Sequence, residues 1–130
     1  MALENKLGKG DWGYVANPSG GFLGYWWHWC PLTIDPTIEL YLQFEQNKLC
    51  IKAYSKAETR PLLSWSNQIE CIAKNESLPI ISPPKRRIGK TMTLAIIKLE
   101  YLFDIPLNFD ATIKKLHDIE RFVAEISRIL

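Results

Sequence analysis

Residues 38–54 read IELYLQFEQNKLCIKAY, and this stretch decides the fold. Ile38, Leu40, Leu42 and Phe44 alternate with Glu39, Tyr41, Gln43 and Glu45. That period of two gives a strand one apolar face and one polar face. Gln46 and Asn47 supply a tight polar turn, after which Leu49, Ile51 and Ala53 alternate with Cys50, Lys52 and Tyr54. Two alternating runs around a short polar turn predict an antiparallel hairpin.

On the N-terminal side, Phe22 to Cys30 is rich in large aromatic side chains and suits a strand. Pro31 and Pro36 bracket the loop that joins it to the hairpin. Asn17 to Gly21, NPSGG, reads as a turn, and residues 1–12 as a tail or a short edge element. On the C-terminal side, a helix is expected over about 59–75. Thr59 would cap it, Pro61 would sit in its first turn, and Leu62, Trp65, Ile69, Ile72 and Ala73 fall at helical spacing. Leu78 to Ile81 reads as a short strand. Thr91 to Glu100 reads as another, although Ile97 and Leu99 break the phase set by Met92, Leu94 and Ile96. The last element is a helix over 110–130 with Asp110 as its cap. Ile113, Leu116, Ile119, Val123, Ile126 and Leu130 recur at threes and fours. The expected class is α+β: one domain over 1–130, an antiparallel sheet of about four to six strands, and two main helices on one face.

A chain of 130 residues is long enough to bury a core without disulfides or metal. It has no run of eighteen apolar residues, and its N-terminus, MALENKLGKGD, lacks the apolar stretch of a secretory signal. A cytoplasmic protein with no membrane partner is expected. Cys30, Cys50 and Cys71 are odd in number and form no C-x-x-C pair, which speaks for reduced, packed thiols.

Charge is unevenly spread. Residues 1–45 carry a net −3, residues 46–98 a net +7 and residues 99–130 a net −2. A middle segment this basic suits phosphate or an acidic partner if folding gathers its cations on one side, and suits only solvation if folding disperses them. Its densest cluster is Lys85, Arg86, Arg87 and Lys90, stiffened by Pro83 and Pro84. Arginine grips phosphate through a planar fork, so this loop is a candidate nucleic-acid contact. In the run Tyr25-Trp26-Trp27-His28-Trp29, simple alternation puts Tyr25, Trp27 and Trp29 on one face and Trp26 and His28 on the other. One set should be core, and an exposed ring would stack on a base or anchor a partner.

Enzymatic signatures are incomplete. Gly89-Lys90-Thr91 suggests a phosphate-binding loop, but the place of that motif's first glycine is held by Pro84, which has no N–H. His28, Cys30 and His117 are metal-ligand types, and His28 and Cys30 would share a strand face. The remaining ligands are missing, so neither metal nor cofactor is expected. No serine sits in a G-x-S-x-G elbow.

Three stretches in order carry a resemblance. They are Gly20-Gly21-Phe22-Leu23-Gly24-Tyr25-Trp26-Trp27, then Leu40-Tyr41-Leu42-Gln43-Phe44-Glu45 with Leu49-Cys50-Ile51-Lys52, then Arg87-Ile88-Gly89-Lys90-Thr91-Met92-Thr93-Leu94-Ala95. Together they resemble the C-terminal region of bacterial nuclease-like proteins of the PD-(D/E)XK superfamily. The nuclease core of that family, an Asp and a later Glu-x-Lys holding magnesium, lies upstream of this region. Glu4-Asn5-Lys6 has the form Glu-x-Lys, but no acidic residue precedes Glu4.

The resemblance implies a non-catalytic accessory module. Lys85, Arg86, Arg87 and Lys90 would contact DNA or RNA, helped by Lys52 and Arg60, with Trp26 stacking. The alternative is a protein-interaction domain, either a homodimer or a subunit of a nuclease complex. An assembled nuclease site would need acids gathered near Glu4 and Lys6, for which Asp11, Asp35, Glu39 and Glu45 are the nearby candidates.

Overall fold

The expected hairpin is the centre of the sheet. β3 (Ile38–Phe44) pairs antiparallel with β4 (Lys48–Ser55), and the register sets Leu40 opposite Ala53, Leu42 opposite Ile51 and Phe44 opposite Leu49. The apolar halves of both alternations therefore share one face. The computed structural model describes residues 10–15, 22–45, 48–57, 61–84, 89–103 and 108–130. The hairpin tip at 46–47, the NPSGG turn, Thr59 and Arg60, and the 85–88 stretch lie outside the described residues.

Around the hairpin, β1 (Gly10–Val15), β2 (Phe22–Pro31), β5 (Ile80–Ile81) and β6 (Thr91–Lys98) complete a six-stranded antiparallel sheet of order β1-β2-β3-β4-β6-β5. The helices α1 (Ser64–Asn75), α2 (Leu99–Leu102) and α3 (Phe109–Ile129) pack on the apolar face. Trp65, Ile69 and Ala73 of α1 meet Ile80 and Ile97. Ile113, Leu116, Ile119, Val123 and Ile126 of α3 close over Tyr25, Trp27, Leu40 and Leu42. No helix among the described residues is long and apolar enough to cross a membrane.

Several local expectations are corrected. α1 starts at Ser64, so Pro61 precedes the helix and Leu62 is exposed. No side chain caps this helix. Its opening N–H groups are met by a tightened turn, with Trp65 N donating to Leu62 O at 3.1 Å and Ser66 N to Leu63 O at 3.2 Å. The cap of α3 is Asn108, whose side chain accepts from Ala111 N at 3.1 Å. Asp110 falls inside the first turn, where its charge complements the helix dipole. The strand expected over 78–81 is confined to Ile80–Ile81, and β6 stops at Lys98, where α2 begins.

Two irregularities explain where simple alternation fails. In β6 the pairing steps from Ala95 opposite Ile51 to Thr93 opposite Lys52, so Leu94 is an extra residue. Met92, Leu94, Ala95 and Ile97 can then all be buried in the core, and the broken phase of this strand is a β-bulge. The second bulge is in β2. Trp27 faces Leu42 and Cys30 faces Leu40, so His28 and Trp29 together oppose Tyr41. His28 takes up the extra length with φ 66, a left-handed conformation uncommon outside glycine. Trp29 therefore does not lie with Tyr25 and Trp27. It turns to the opposite face and stacks on Tyr41, while His28 reaches toward α3.

Candidate functional site: the helix-free face of the sheet

Helices cover one side of the sheet, and among the described residues none covers the other. Strand register lays the side chains of this open face out in rows. One row runs Asp11, Trp26, Gln43, Cys50, Ile96 and Ile81 across all six strands. The next carries Trp29, Tyr41, Lys52 and Thr93, and the one after it Glu39, Tyr54 and Thr91. Trp29 and Tyr54 are exposed and Trp26 is half-buried, while Tyr41, Gln43 and Cys50 are buried beneath their neighbours.

Three rings give the face its character. Trp29 and Tyr41 stack with centroids 4.2 Å apart at an interplanar angle of 21°. Trp26 is placed by Gly13 on the neighbouring strand. A Cβ at residue 13 would collide with the six-membered edge of the indole, whose Cζ3 and Cζ2 lie 3.1 and 3.2 Å from that position. The glycine thus lets Trp26 extend over β1. A hollow of about 260 Å³ is lined by Trp26, Trp29, Tyr41 and Gln43. A second, of about 310 Å³, lies among Lys48, Pro83, Pro84, Thr93 and Ile96.

The charges of this face are largely paired. Glu45 lies 3.6 Å from Lys48 and 3.5 Å from Lys52, and Lys56 pairs with Glu39. Burial, followed by the nearby Cys50 and Glu45, pushes the Tyr41 hydroxyl up to about 12, so it keeps its proton. Burial and then Glu45 likewise push the Cys50 thiol up to about 12, and burial and then Glu120 raise Cys30. Neither thiol is an activated nucleophile.

Of the residues expected to bind nucleic acid, the structure brings Trp26 and Lys52 to this face. Lys52 spends its ammonium on Glu45. Lys90 is exposed at the far end of β4, where its carbonyl accepts from Ser55 N at 2.7 Å. Lys85, Arg86, Arg87 and Arg60 lie outside the described residues. So do Glu4 and Lys6, whereas Asp11, Asp35, Glu39 and Glu45 are dispersed over the sheet and the loop after β2.

The helix-covered side holds a cluster that sequence reasoning did not assemble. Glu120, in the apolar stripe of α3, accepts from the Trp27 indole at 2.9 Å and bonds His117 Nδ1 at 2.7 Å. His28 Nε2 donates to the Glu120 carbonyl at 2.8 Å, and Cys30 Sγ donates to His28 O at 3.7 Å. His28 Nδ1 also lies 3.7 Å from the carboxylate that bonds His117, so both histidines meet Glu120 and tie the β2 bulge to the helix. Among the described residues no group of His, Cys, Asp and Glu is arranged to hold a metal ion. Glu120 gave one legible signal, an acid three residues before Val123 and four after Leu116 on a stripe otherwise apolar.

No family model, no curated protein and no solved structure matches this chain.

Proposed function

We propose that this domain is a non-catalytic binding module that takes single-stranded DNA or RNA across the open face of its sheet. The observation that carries the reading is the placement of Trp26, Trp29 and Tyr41 together on a face with no helix over it among the described residues. Such a surface suits unpaired bases, because every base offers a π-face to an aromatic side chain. β4, β5 and β6 all belong to the basic middle segment, so its cations enter the sheet on neighbouring strands. Pro83 and Pro84, which lead into Lys85, Arg86 and Arg87, line a hollow on the same face as Lys48. The loop cations would hold the phosphates while the rings hold the bases.

The stretches that resemble PD-(D/E)XK nuclease C-terminal regions include parts of β2, β3, β4 and β6, four neighbouring strands. This supports reading the open face as the part such an accessory module presents, acting in the cytoplasm beside a nuclease or on its own. One observation favours a protein partner instead: Glu45 and Glu39 neutralise Lys48, Lys52 and Lys56, which leaves the aromatic patch with little net charge around it.

Fluorescence anisotropy with labelled single- and double-stranded DNA and RNA at two salt concentrations separates the two. Salt-sensitive binding to single strands, weakened by a Lys85/Arg86/Arg87/Lys90→Ala variant, is the expected result. Absence of binding to all four at low salt sinks the nucleic-acid reading and leaves the aromatic face to a protein.

A further inference from the structure

The hollow on the open face has walls, a floor and a defined hydrogen-bonding edge. One wall is Trp26, drawn over β1 by the space at Gly13. The other is the Trp29–Tyr41 stack. The floor is Gln43, whose residue surface is only 5% exposed although it lines the hollow. At about 260 Å³ the space falls below the roughly 300–1,000 Å³ of pockets that enclose drug-sized ligands. It suits one planar ring system.

The Gln43 amide is oriented by its neighbour. Its Nε2 donates to Glu45 Oε1 at 3.3 Å, and this fixes which end of the amide is nitrogen. One N–H and the carbonyl Oε1 remain, and among the described residues no donor meets that oxygen. Tyr41, which also lines the hollow, keeps its hydroxyl proton. A glutamine with one free donor and one free acceptor matches the N7 and N6 amino edge of adenine.

We infer that the hollow between Trp26 and the Trp29–Tyr41 stack is a nucleobase slot that prefers adenine, with Gln43 reading the base edge. The inference rests on the nucleic-acid reading of the open face but is tested apart from it. Without a ring in the slot, Gln43 Oε1 has no donor among the described residues, so an entering base edge finds that acceptor open. Adenine supplies the missing donor and covers the indoles at the same time.

Two measurements on the whole domain decide it. The first is titration with adenosine monophosphate and, separately, cytidine monophosphate, followed through the indole N–H signals of Trp26 and Trp29 in ¹H–¹⁵N spectra assigned with Trp→Phe variants. The second is anisotropy with ten-nucleotide dA and dC strands, on the native protein and on Trp29→Ala and Gln43→Leu. Circular dichroism and urea midpoints certify each variant's fold. The expected result is that adenosine monophosphate moves both indole signals, and that dA strands bind about tenfold tighter than dC strands. Trp29→Ala should weaken both strands about tenfold or more, as loss of a stacking partner does. Gln43→Leu should remove the preference for dA while retaining binding. Strands that bind with no preference, while neither nucleotide moves the two indoles, overturn the slot and leave the module reading standing. Indole shifts with adenosine monophosphate but no strand binding keep the slot and end the nucleic-acid reading. Neither response ends both.

Discussion

The indole N–H of Trp27 donates to the carboxylate of Glu120 at 2.9 Å, joining the middle of β2 to the middle of α3 inside the core. Trp27 is fully buried, so this N–H has no recourse to water. Glu120→Ala should cost about 2–3 kcal/mol in urea unfolding, the scale of an orphaned buried donor plus a lost bond to a charged group. In a Trp27→Phe background, which has no N–H to orphan, the same change should cost at least about 1 kcal/mol less. Equal costs in both backgrounds would mean that Glu120 acts through the two histidines and not through Trp27.

His28 carries the bulge at φ 66 and also bonds the Glu120 carbonyl. His28→Ala and His28→Gly both lose the ring, but only glycine occupies that backbone region without a Cβ penalty. His28→Gly should therefore be the more stable variant by about 1 kcal/mol in chemical denaturation. An alanine variant as stable as the glycine one would show that β2 can shed its bulge.

Cys50 is buried on the open face and its thiol is pushed up to about 12, chiefly by burial. In the unfolded chain it would ionise near its ordinary value, about 8.5. A raised folded value contributes stability that is whole below the unfolded value and is lost as pH rises. The loss runs up to about 1.4 kcal/mol per pH unit above 8.5 until the folded value is reached. Tyr41 adds to this only above its ordinary value near 10. A Cys50→Ala variant should show a shallower decline in urea midpoint between about pH 8.5 and 10. At pH 8 a thiol reagent should label the exposed Cys71 quickly and Cys50 only on unfolding.

Glu76, at the end of α1, and Glu125 of α3 line a groove of about 530 Å³ together with Asp118, Arg121 and Arg128. Desolvation first, then the hydrogen bond that protonated Glu76 donates to Glu125 and the negative charge of Glu125, raise Glu76 above its ordinary value. An acid raised in the folded state binds more protons folded than unfolded. Stability should thus increase as pH falls from neutral into the carboxylate range. Glu125→Gln should raise the urea midpoint at pH 7 by an amount equivalent to about half a kcal/mol, the scale of a like-charge surface pair. That gain should vanish near pH 4, where native Glu76 is protonated. A gain that persists at pH 4 would point to packing instead.

The hairpin, the sheet class and the inner stripe of α3 were legible because burial on one face forces periodicity, and Ile38–Phe44 and Ile113–Ile126 obey it. The faces of β2 were not. A bulge is a backbone event, and here it is carried by a histidine instead of the glycine that would have advertised it. In β6 the phase break at Ile97 was visible, but its cause, the extra Leu94, needed the partner strand. The cap of α3 was misplaced by two residues because Asn108 and Asp110 are equally good cap formers, and only the chain direction at Asn108 separates them. Trp26 and Lys52 were placed together by the alternation of separate strands. Gln43 escaped notice because a glutamine in a polar half-strand reads as a solvated side chain until its neighbours bury it. Glu120 escaped because its three partners come from two elements far apart in sequence.

The bulge in β2 also separates the two inventories of that strand by counting instead of by chemistry. Every substitution at Trp26 or Trp29 changes the open face and leaves Tyr25, Trp27 and Cys30 where they are. Straightening the strand with all of its residues kept would do the opposite. Trp29 would rotate inward to the place beside Leu40 that the much smaller Cys30 now half fills, Cys30 would move out, and Tyr41 would lose its stacked partner. Point changes at Trp26 and Trp29 can therefore retune this surface, whereas loss of the bulge at unchanged chain length would damage the surface and the core together.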